Sequence, residues 1–456
     1  MQNTTTHEMA QPDYRRELGD GLVLRWSTAE DTEQVAALIG SVFRPSEEGP
    51  INERMQARTR LQMRGDYPVM EPNDYAVVLD TTREGKPLVA GACLWRHQWE
   101  FEGIPVGVGR PEYVAVQPEY RRRGLIRAIF ELLHARSAAE GHLMQVITGI
   151  PHFYRQFGYE YAIDLEGMRM VPLSQIPAAK EGVEEAYLLR DATEEDIPQL
   201  MALHAQRQAG ALLWSATPEK HWRYQIVKLA DLASPAKFLT LKMIVDRAGA
   251  VVGYMNVGVK RWGANLGVYE FETVPGTNLR AVMLPILRAL AVHGQHVPNI
   301  LTKAPLTSIG FQLGREHPVY DALGPELAAY YEPPYAWYIR VPDVLGFLHH
   351  VTPVLERRLA ASVLASYTGE IKLDHYRGGM RLVFAQGKLT TIEPWQAPPF
   401  GDEANVGCPS LVFLQLLFGY RTFDELHYAF PDVWANDDAR ILLPVLFPKR
   451  ASYIVV

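Results

Sequence analysis

An α+β fold is predicted: two tandem units, each with a mixed sheet, followed by a third α/β unit. Three observations predict it. The segment Leu24-Arg25-Trp26-Ser27-Thr28-Ala29-Glu30-Asp31 is echoed by Leu189-Arg190-Asp191-Ala192-Thr193-Glu194-Glu195-Asp196, about one domain length further on. In both halves, three apolar runs precede a helical pattern, which puts helices against a sheet of successive strands. A chain of 456 residues also exceeds what one core usually holds.

Each copy of the repeat reads as a short strand, a polar turn with Thr and acidic N-cap candidates, and an amphipathic helix. The helices carry Val35, Leu38 and Ile39 in the first copy, and Leu200 and Leu203 in the second. A helix over Asn52–Gly65 and its approach Val42–Pro50 are expected pocket walls. Tyr75–Leu79, Leu88–Trp95 and Gly107–Val116 read as strands, and Gly124–Ala138 as the helix after them. The second half repeats this order with Leu239–Asp246, Val251–Val259, Leu266–Thr273 and the helix Leu279–Ala291. In the third segment, Trp337–Val341 alternates, Leu345–Leu359 is helical, Gly369–Asp374 and Met380–Ala385 read as strands, and Leu411–Phe418 is an apolar helix. Boundaries fall near Pro172 and at the double proline Pro333-Pro334.

Composition narrows the function classes. A hydrophobic content of 48% with 21% charged residues describes a globular chain. The net charge of -7 argues against a nucleic-acid partner. It is compatible with a cationic substrate, although surface acidity usually serves solubility. Cys93 and Cys408 lie far apart, so neither a disulfide framework nor a metal cluster is expected. No apolar run is long enough for a membrane span. Met1–Tyr14 lacks the apolar region of a signal peptide, which makes the cytoplasm the expected location.

The run from Val114 to Ile126 carries the most chemistry. A strand ends in Val114-Ala115-Val116, breaks at Pro118, passes Arg121-Arg122-Arg123 to Gly124, and becomes a helix at Leu125-Ile126. Free N–H groups, the positive end of a helix dipole and guanidinium charge then meet at one point, which suits a pyrophosphate. Gly124 lets the backbone approach the ligand, and Arg121 to Arg123 add charge-assisted hydrogen bonds. The strand end offers backbone groups of the kind an added peptide strand would use. A solvated, basic helix start is the plainer alternative. The strand Met144–Ile150 follows, with Gly149 and Ile150 at its end, then Tyr154, Phe157, Gly158 and Tyr159 in a Tyr-x-x-Phe-Gly-Tyr segment.

Arg121-x-x-Gly124 fits the Gln/Arg-x-x-Gly-x-Gly/Ala pattern of the GNAT superfamily of N-acetyltransferases, which the first half resembles; Ile126 stands where Gly or Ala is usual. The whole chain resembles the Eis family, a tandem pair of such domains closed by a domain of sterol-carrier-protein type. Leu417-Phe418-Gly419-Tyr420-Arg421 and Leu446-Phe447-Pro448 carry that last likeness. The resemblance implies a catalytic domain at 1–172, a degenerate second one at 173–335 and a carrier-like domain at 336–456. It implies acetyl-coenzyme A as acyl donor, bound by Val114, Ala115, Val116, Arg121, Arg122, Arg123, Gly124, Leu125, Ile126, Gly149 and Ile150, without a metal. It also implies a homo-oligomer, with a hexamer as the form the last domain helps to build.

The same resemblance makes Tyr154 the general acid that reprotonates the departing thiolate, a role open to a phenol that stays protonated at neutral pH. An aromatic core stripe of Phe153, Tyr154 and Phe157 is the alternative. The base implied is the main-chain carboxylate of Val456, although Ser452 and Tyr453 read equally well as a last strand. Glu112 is the second candidate, on the expectation that residues 112, 114 and 116 share one strand face. His152 reads as a structural hydrogen-bonding group before it reads as a base. The second half lacks the motif: Val274-Pro275-Gly276-Thr277-Asn278-Leu279-Arg280 has no arginine cluster, and Gly276 suits a turn. That half is expected to be silent and to shape the acceptor pocket or the assembly.

The acceptor is expected to be a primary amine, on an aminoglycoside-like compound, a polyamine or a lysine side chain. Trp26, Trp95 and Trp99 are candidates to line its cleft, and Glu47, Glu48 and Asp66 to attract a cation; packing and plain surface are the alternative roles. A non-catalytic lipid or acyl-thioester binding protein, working through the third domain, is the competing class.

Overall fold

Apolar runs covered on both faces make the central strands, and polar turns with left-handed residues separate them. The computed structural model describes residues 2–46, 48–231, 234–398 and 403–455. The helices and strands of the first sheet are α1 (Gln2–Met9), β1 (Arg15–Gly19), β2 (Leu22–Trp26), α2 (Thr32–Val42), α3 (Glu53–Gln62), β3 (Tyr75–Asp80), β4 (Leu88–Phe101), β5 (Ile104–Val116), α4 (Leu125–Ala139), β6 (Met144–Ile147) and β7 (Glu160–Leu165). Among the described residues this sheet has nine strands, in the order β1-β2-β3-β4-β5-β6, then Tyr335–Arg340, then β7. Leu213–Ser215 pairs with the far end of β4.

Strands β4 and β5 run well past the ends expected from the sequence. Their hairpin closes at Phe101 opposite Ile104, through Glu102 and Gly103, both with positive φ. The added half is buried from outside. Trp99, Phe101, Val106 and Val108 share one core with Phe347, Leu348 and Phe418 of the third segment. Glu102 in the turn accepts from Arg358 (2.8 Å) and Arg450 (2.5 Å).

The second sheet runs Tyr330–Glu332, Met168–Pro172, Ser308–Phe311, Asn265–Thr273, Val251–Gly258, Leu239–Asp246 and Tyr187–Asp191. Its helix Leu279–His296 is longer than expected and passes through Pro285. The third sheet is built on Gly369–Asp374, Gly379–Ala385 and Lys388–Trp395, with the helix Val344–Ala360 against it. Sequence segments and sheets do not coincide. Met168–Pro172 already lies in the second sheet, and Tyr335–Arg340 returns to the first, between β6 and β7.

The internal repeat is visible atom by atom. Thr28 and Asp31 form a capping box, as do Thr193 and Asp196. Arg25 and Arg190 each grip the acidic residue at 2.7 Å. Burial would raise the Asp31 carboxyl, but bonds from Arg25 and Thr28 outweigh it and hold Asp31 below its ordinary value. Its contribution to stability is therefore full above the unfolded pKa and is lost as pH falls through the lower folded value. Asp31→Asn is expected to cost about 1 kcal/mol at neutral pH. The deficit should shrink below about pH 4, as measured by urea unfolding across pH. A constant deficit down to pH 2 would refute this.

Candidate functional site

A wedge between β5 and β6 lies at the centre of the site. The two strands pair in parallel at only two positions, Val108 with Met144 and Gly109 with Gln145. Beyond them β6 turns to Tyr335–Arg340, where Ile147 faces Tyr338. From Arg110 onward, the β6-side edge of β5 has no strand partner among the described residues.

A bulge on β5 sharpens the opening. Cys93 stands opposite Glu112 and Gly91 opposite Ala115, so β5 carries one extra residue, and Tyr113 takes φ 52°. The bulge corrects the expectation that residues 112, 114 and 116 share one face. Glu112 lies with Cys93 on the α2 side, where Tyr113 and Ala115 are buried, whereas Val114 and Val116 pack toward α4. Both nearest contacts from Arg110, at 2.7 and 2.6 Å, fall on Oε1 of Glu112. Arg110 is itself sandwiched by Trp95 (5.1 Å) and Trp337 (4.7 Å).

At the end of β5, Pro118–Tyr120 makes one tight turn, and α4 starts at Leu125 with Gly124 as its N-cap. Arg122 (φ 65°) and Gly124 (φ 76°) are both left-handed, a backbone that turns successive N–H groups to one side. Arg121 N–H bonds to the Pro118 carbonyl. Among the described residues, the N–H groups of Arg122 to Arg127 have no main-chain partner. A Cβ built on Gly124 meets nothing within 4 Å, so the space above the loop is open. Arg121, Arg122 and Arg123 are exposed, with Arg123 over the Tyr120 ring at 5.3 Å. Ile126 does not crowd the loop. It packs inward with Val114 against Phe130, Ile147, Tyr154, Tyr159 and Tyr338.

That cluster joins the strand end, the helix start and the tyrosine. Tyr154 sits in the turn Phe153–Phe157, which is flanked by two left-handed residues, His152 and Gly158. Its ring contacts Phe153 (5.1 Å), Tyr338 (5.5 Å) and Phe130 (5.7 Å). A Cβ on Gly149, at φ 117°, would lie 3.9 Å from the Tyr154 hydroxyl, so the phenol end reaches the wedge side of that loop. Burial, followed by the charge of Glu112, pushes the phenol well above its ordinary value. Strand β6 ends at Ile147, earlier than the expected Ile150, and Ile150 is exposed. His152 is exposed; its backbone N–H bonds to the Tyr161 hydroxyl at 3.3 Å.

A cavity of about 1220 Å³ opens on the other side of β4 and β5. Arg58, Tyr67, Trp95, His97 and Arg110 line one end, Asn256 and Glu270 of the second sheet another. Trp95 lines this cavity. Trp99 is buried edge-on to Trp337 (6.0 Å), and Trp26 lies under Arg136, so both are packing residues. Asp66 pairs with Lys228 at 3.1 Å, Glu48 is exposed, and Glu47 lies outside the described residues.

The chain end reaches this cavity at Val455, while Ala451 to Val455 line a second cavity of about 550 Å³. Leu212 N–H bonds to Ala451 O, Tyr453 N–H to Leu213 O, and Ser215 N–H to Tyr453 O. Val455 N–H then bonds to Ser215 Oγ at 2.9 Å. Leu213–Ser215 is antiparallel to β4, from Phe101 to Trp99, and the tail runs parallel to it. Each tail residue therefore advances about 3.3 Å toward the Trp95–Arg110 level. Val455 lines the cavity; Val456 lies outside the described residues.

Among the described residues, no group of three His, Cys, Asp or Glu side chains is set to hold a metal, and no helix is long and apolar enough to cross a membrane. No curated protein matches the chain. Solved structures do, at low identity and over nearly all their length, and they establish the fold. A probable N-acyltransferase from Enterococcus faecalis V583 is 14% identical, with TM-score 0.64 over 95% of this chain and 98% of that one. A GCN5-related N-acetyltransferase from Kribbella flavida is 18% identical, with TM-score 0.61 over 95% and 98%. Eis1 from Mycobacterium abscessus is 17% identical, with TM-score 0.54 over 95% and 99%. Residues 24–162, which contain β5, the Arg121–Gly124 loop and Tyr154, match the acetyltransferase (GNAT) domain.

Proposed function

We propose that the protein is an acetyl-coenzyme A-dependent N-acetyltransferase of Eis-like organisation that passes the acetyl group directly to a primary amine. One observation carries this reading: the open row of N–H groups at Arg122–Arg127 shares a packed cluster with Tyr154, beside the splayed edge of β5. The donor's pyrophosphate would rest on those N–H groups and the charges of Arg121 to Arg123. Its pantetheine arm would run along Val114–Val116, and its thioester would lie in the wedge near Gly149 and Ile150.

The amine nitrogen attacks the thioester carbonyl carbon, the C–S bond breaks, and the thiolate takes the Tyr154 hydroxyl proton. The amine's proton goes to a base. The main-chain carboxylate of Val456 is the reading favoured here, supported by the course of the tail to Val455. Glu112, with Oε1 held by Arg110, is the second candidate. The third segment acts as a brace in this scheme, because its core is continuous with the ends of β4 and β5.

Thiol release from acetyl-coenzyme A with a panel of primary amines tests the activity. Adding a few residues after Val456 is expected to lower kcat at least a hundredfold, and Glu112→Gln less than tenfold, a general base being worth about 10²–10⁴. The reverse order would make Glu112 the base. No thiol release with any amine would sink the transferase reading.

A further inference from the structure

Two guanidinium groups of α3, Arg58 in the wall of the large cavity and Arg54 one turn before it, have no carboxylate paired with them among the described residues. Arg54 and Arg58 stand one helical turn apart on α3 and leave the same face. Arg54 lies over the rings of Trp262 (4.1 Å) and Phe238 (4.6 Å), and Arg58 over Phe238 (5.5 Å). Among the described residues, Nε and one Nη of Arg54 are buried with no hydrogen-bond partner. Burial, then repulsion from Arg58, pushes the Arg54 guanidinium below its ordinary value.

Arg58 lines the cavity beside Trp95 and Phe238. Burial opposes its charge, but Tyr113, Tyr67, which also hydrogen-bonds to it, and Glu112, already paired with Arg110, outweigh burial and hold the guanidinium above its ordinary value. Other cations of this wall are answered: Arg96 by Asp74 and Glu140, and Arg110 by Glu112. Lys220 is exposed to solvent. Two like charges held side by side, partly out of water, are stabilised when an anion joins them. Guanidinium forks match carboxylate and phosphate oxygens.

We propose that Arg54 and Arg58 form an acidic-group subsite, so that the amine acceptor of this cavity carries a carboxylate or a phosphate. The inference rests on the transferase reading for the word acceptor. The same positive field would lower the acceptor ammonium's pKa and favour the neutral amine that attacks.

The test compares kcat/KM for matched short amines bearing a carboxylate, a phosphate or a neutral hydroxyl, and for spermidine, at fixed ionic strength. The acidic amines are expected to exceed the hydroxyl analogue at least tenfold, the better of the two naming the natural group. That ratio should fall about tenfold in Arg58→Gln and recover in part in Arg58→Lys, which keeps the charge if the Gln variant folds poorly. A preference for the hydroxyl amine or spermidine, or a ratio unmoved in Arg58→Gln, would overturn the proposal.

A second arm needs no turnover. Inorganic phosphate and acetate are titrated against intrinsic tryptophan fluorescence, since Trp262 lies under Arg54. A saturable change with at least one anion, weakened about tenfold in Arg54→Gln, supports the subsite even if no amine is acetylated, in which case only the transferase reading fails. No saturable change with either anion would overturn it.

Discussion

Tyr154→Phe is expected to lower kcat at least a hundredfold while leaving the KM for acetyl-coenzyme A within about twofold, the range a lost general acid gives. The substitution keeps the ring that contacts Phe153, Tyr338 and Phe130 and removes only the hydroxyl beside Gly149. Its unfolding midpoint should therefore stay close to that of the wild type, which separates a chemical loss from a structural one. Burial and Glu112 hold the phenol protonated. The wild-type rate should accordingly show no fall from loss of this proton across the ordinary alkaline range, up to about pH 10, where a free tyrosine would titrate. Stopped assays of thiol release over pH check both points. Activity within threefold of the wild type in Tyr154→Phe would remove the tyrosine from the mechanism.

Trp337→Ala is expected to cost about 3–5 kcal/mol, because the side chain is fully buried and its loss leaves a cavity. The position matters beyond its volume. Trp337 belongs to the strand that holds β6 away from β5, it meets Trp99 edge-on at 6.0 Å, and it stacks under Arg110 at 4.7 Å. Losing it should loosen the Arg110–Glu112 pair and depress kcat as well as stability. The thermal midpoint should fall by about 3–5 °C. A midpoint within 2 °C of the wild type would mean that this late strand is not structural to the first sheet.

The sequence by itself determined the elements whose causes are local. Thr28 with Asp31 and Thr193 with Asp196 mark two helix starts through bonds that span three residues. The break at Pro118 and the glycine at 124 mark the turn that leads from β5 into α4, because a proline and a left-handed glycine act on their own backbone. Tyr154 was singled out by the family resemblance, since its local sequence fits an aromatic core stripe with Phe153 and Phe157 equally well. The far halves of β4 and β5 were not legible, since what buries them is Phe347, Leu348 and Phe418, more than two hundred residues away.

Tertiary structure alone decided the rest. The bulge at Tyr113, which puts Glu112 and Val114 on opposite faces, comes from register with β4, and no residue type demands it. The return of Tyr335–Arg340 to the first sheet, the path of the chain end past Ser215, and the meeting of Arg54 with Phe238 and Trp262 are long-range pairings. Local propensity carries no record of such pairings, because the free energy that fixes them is released only when distant apolar and polar groups leave water together.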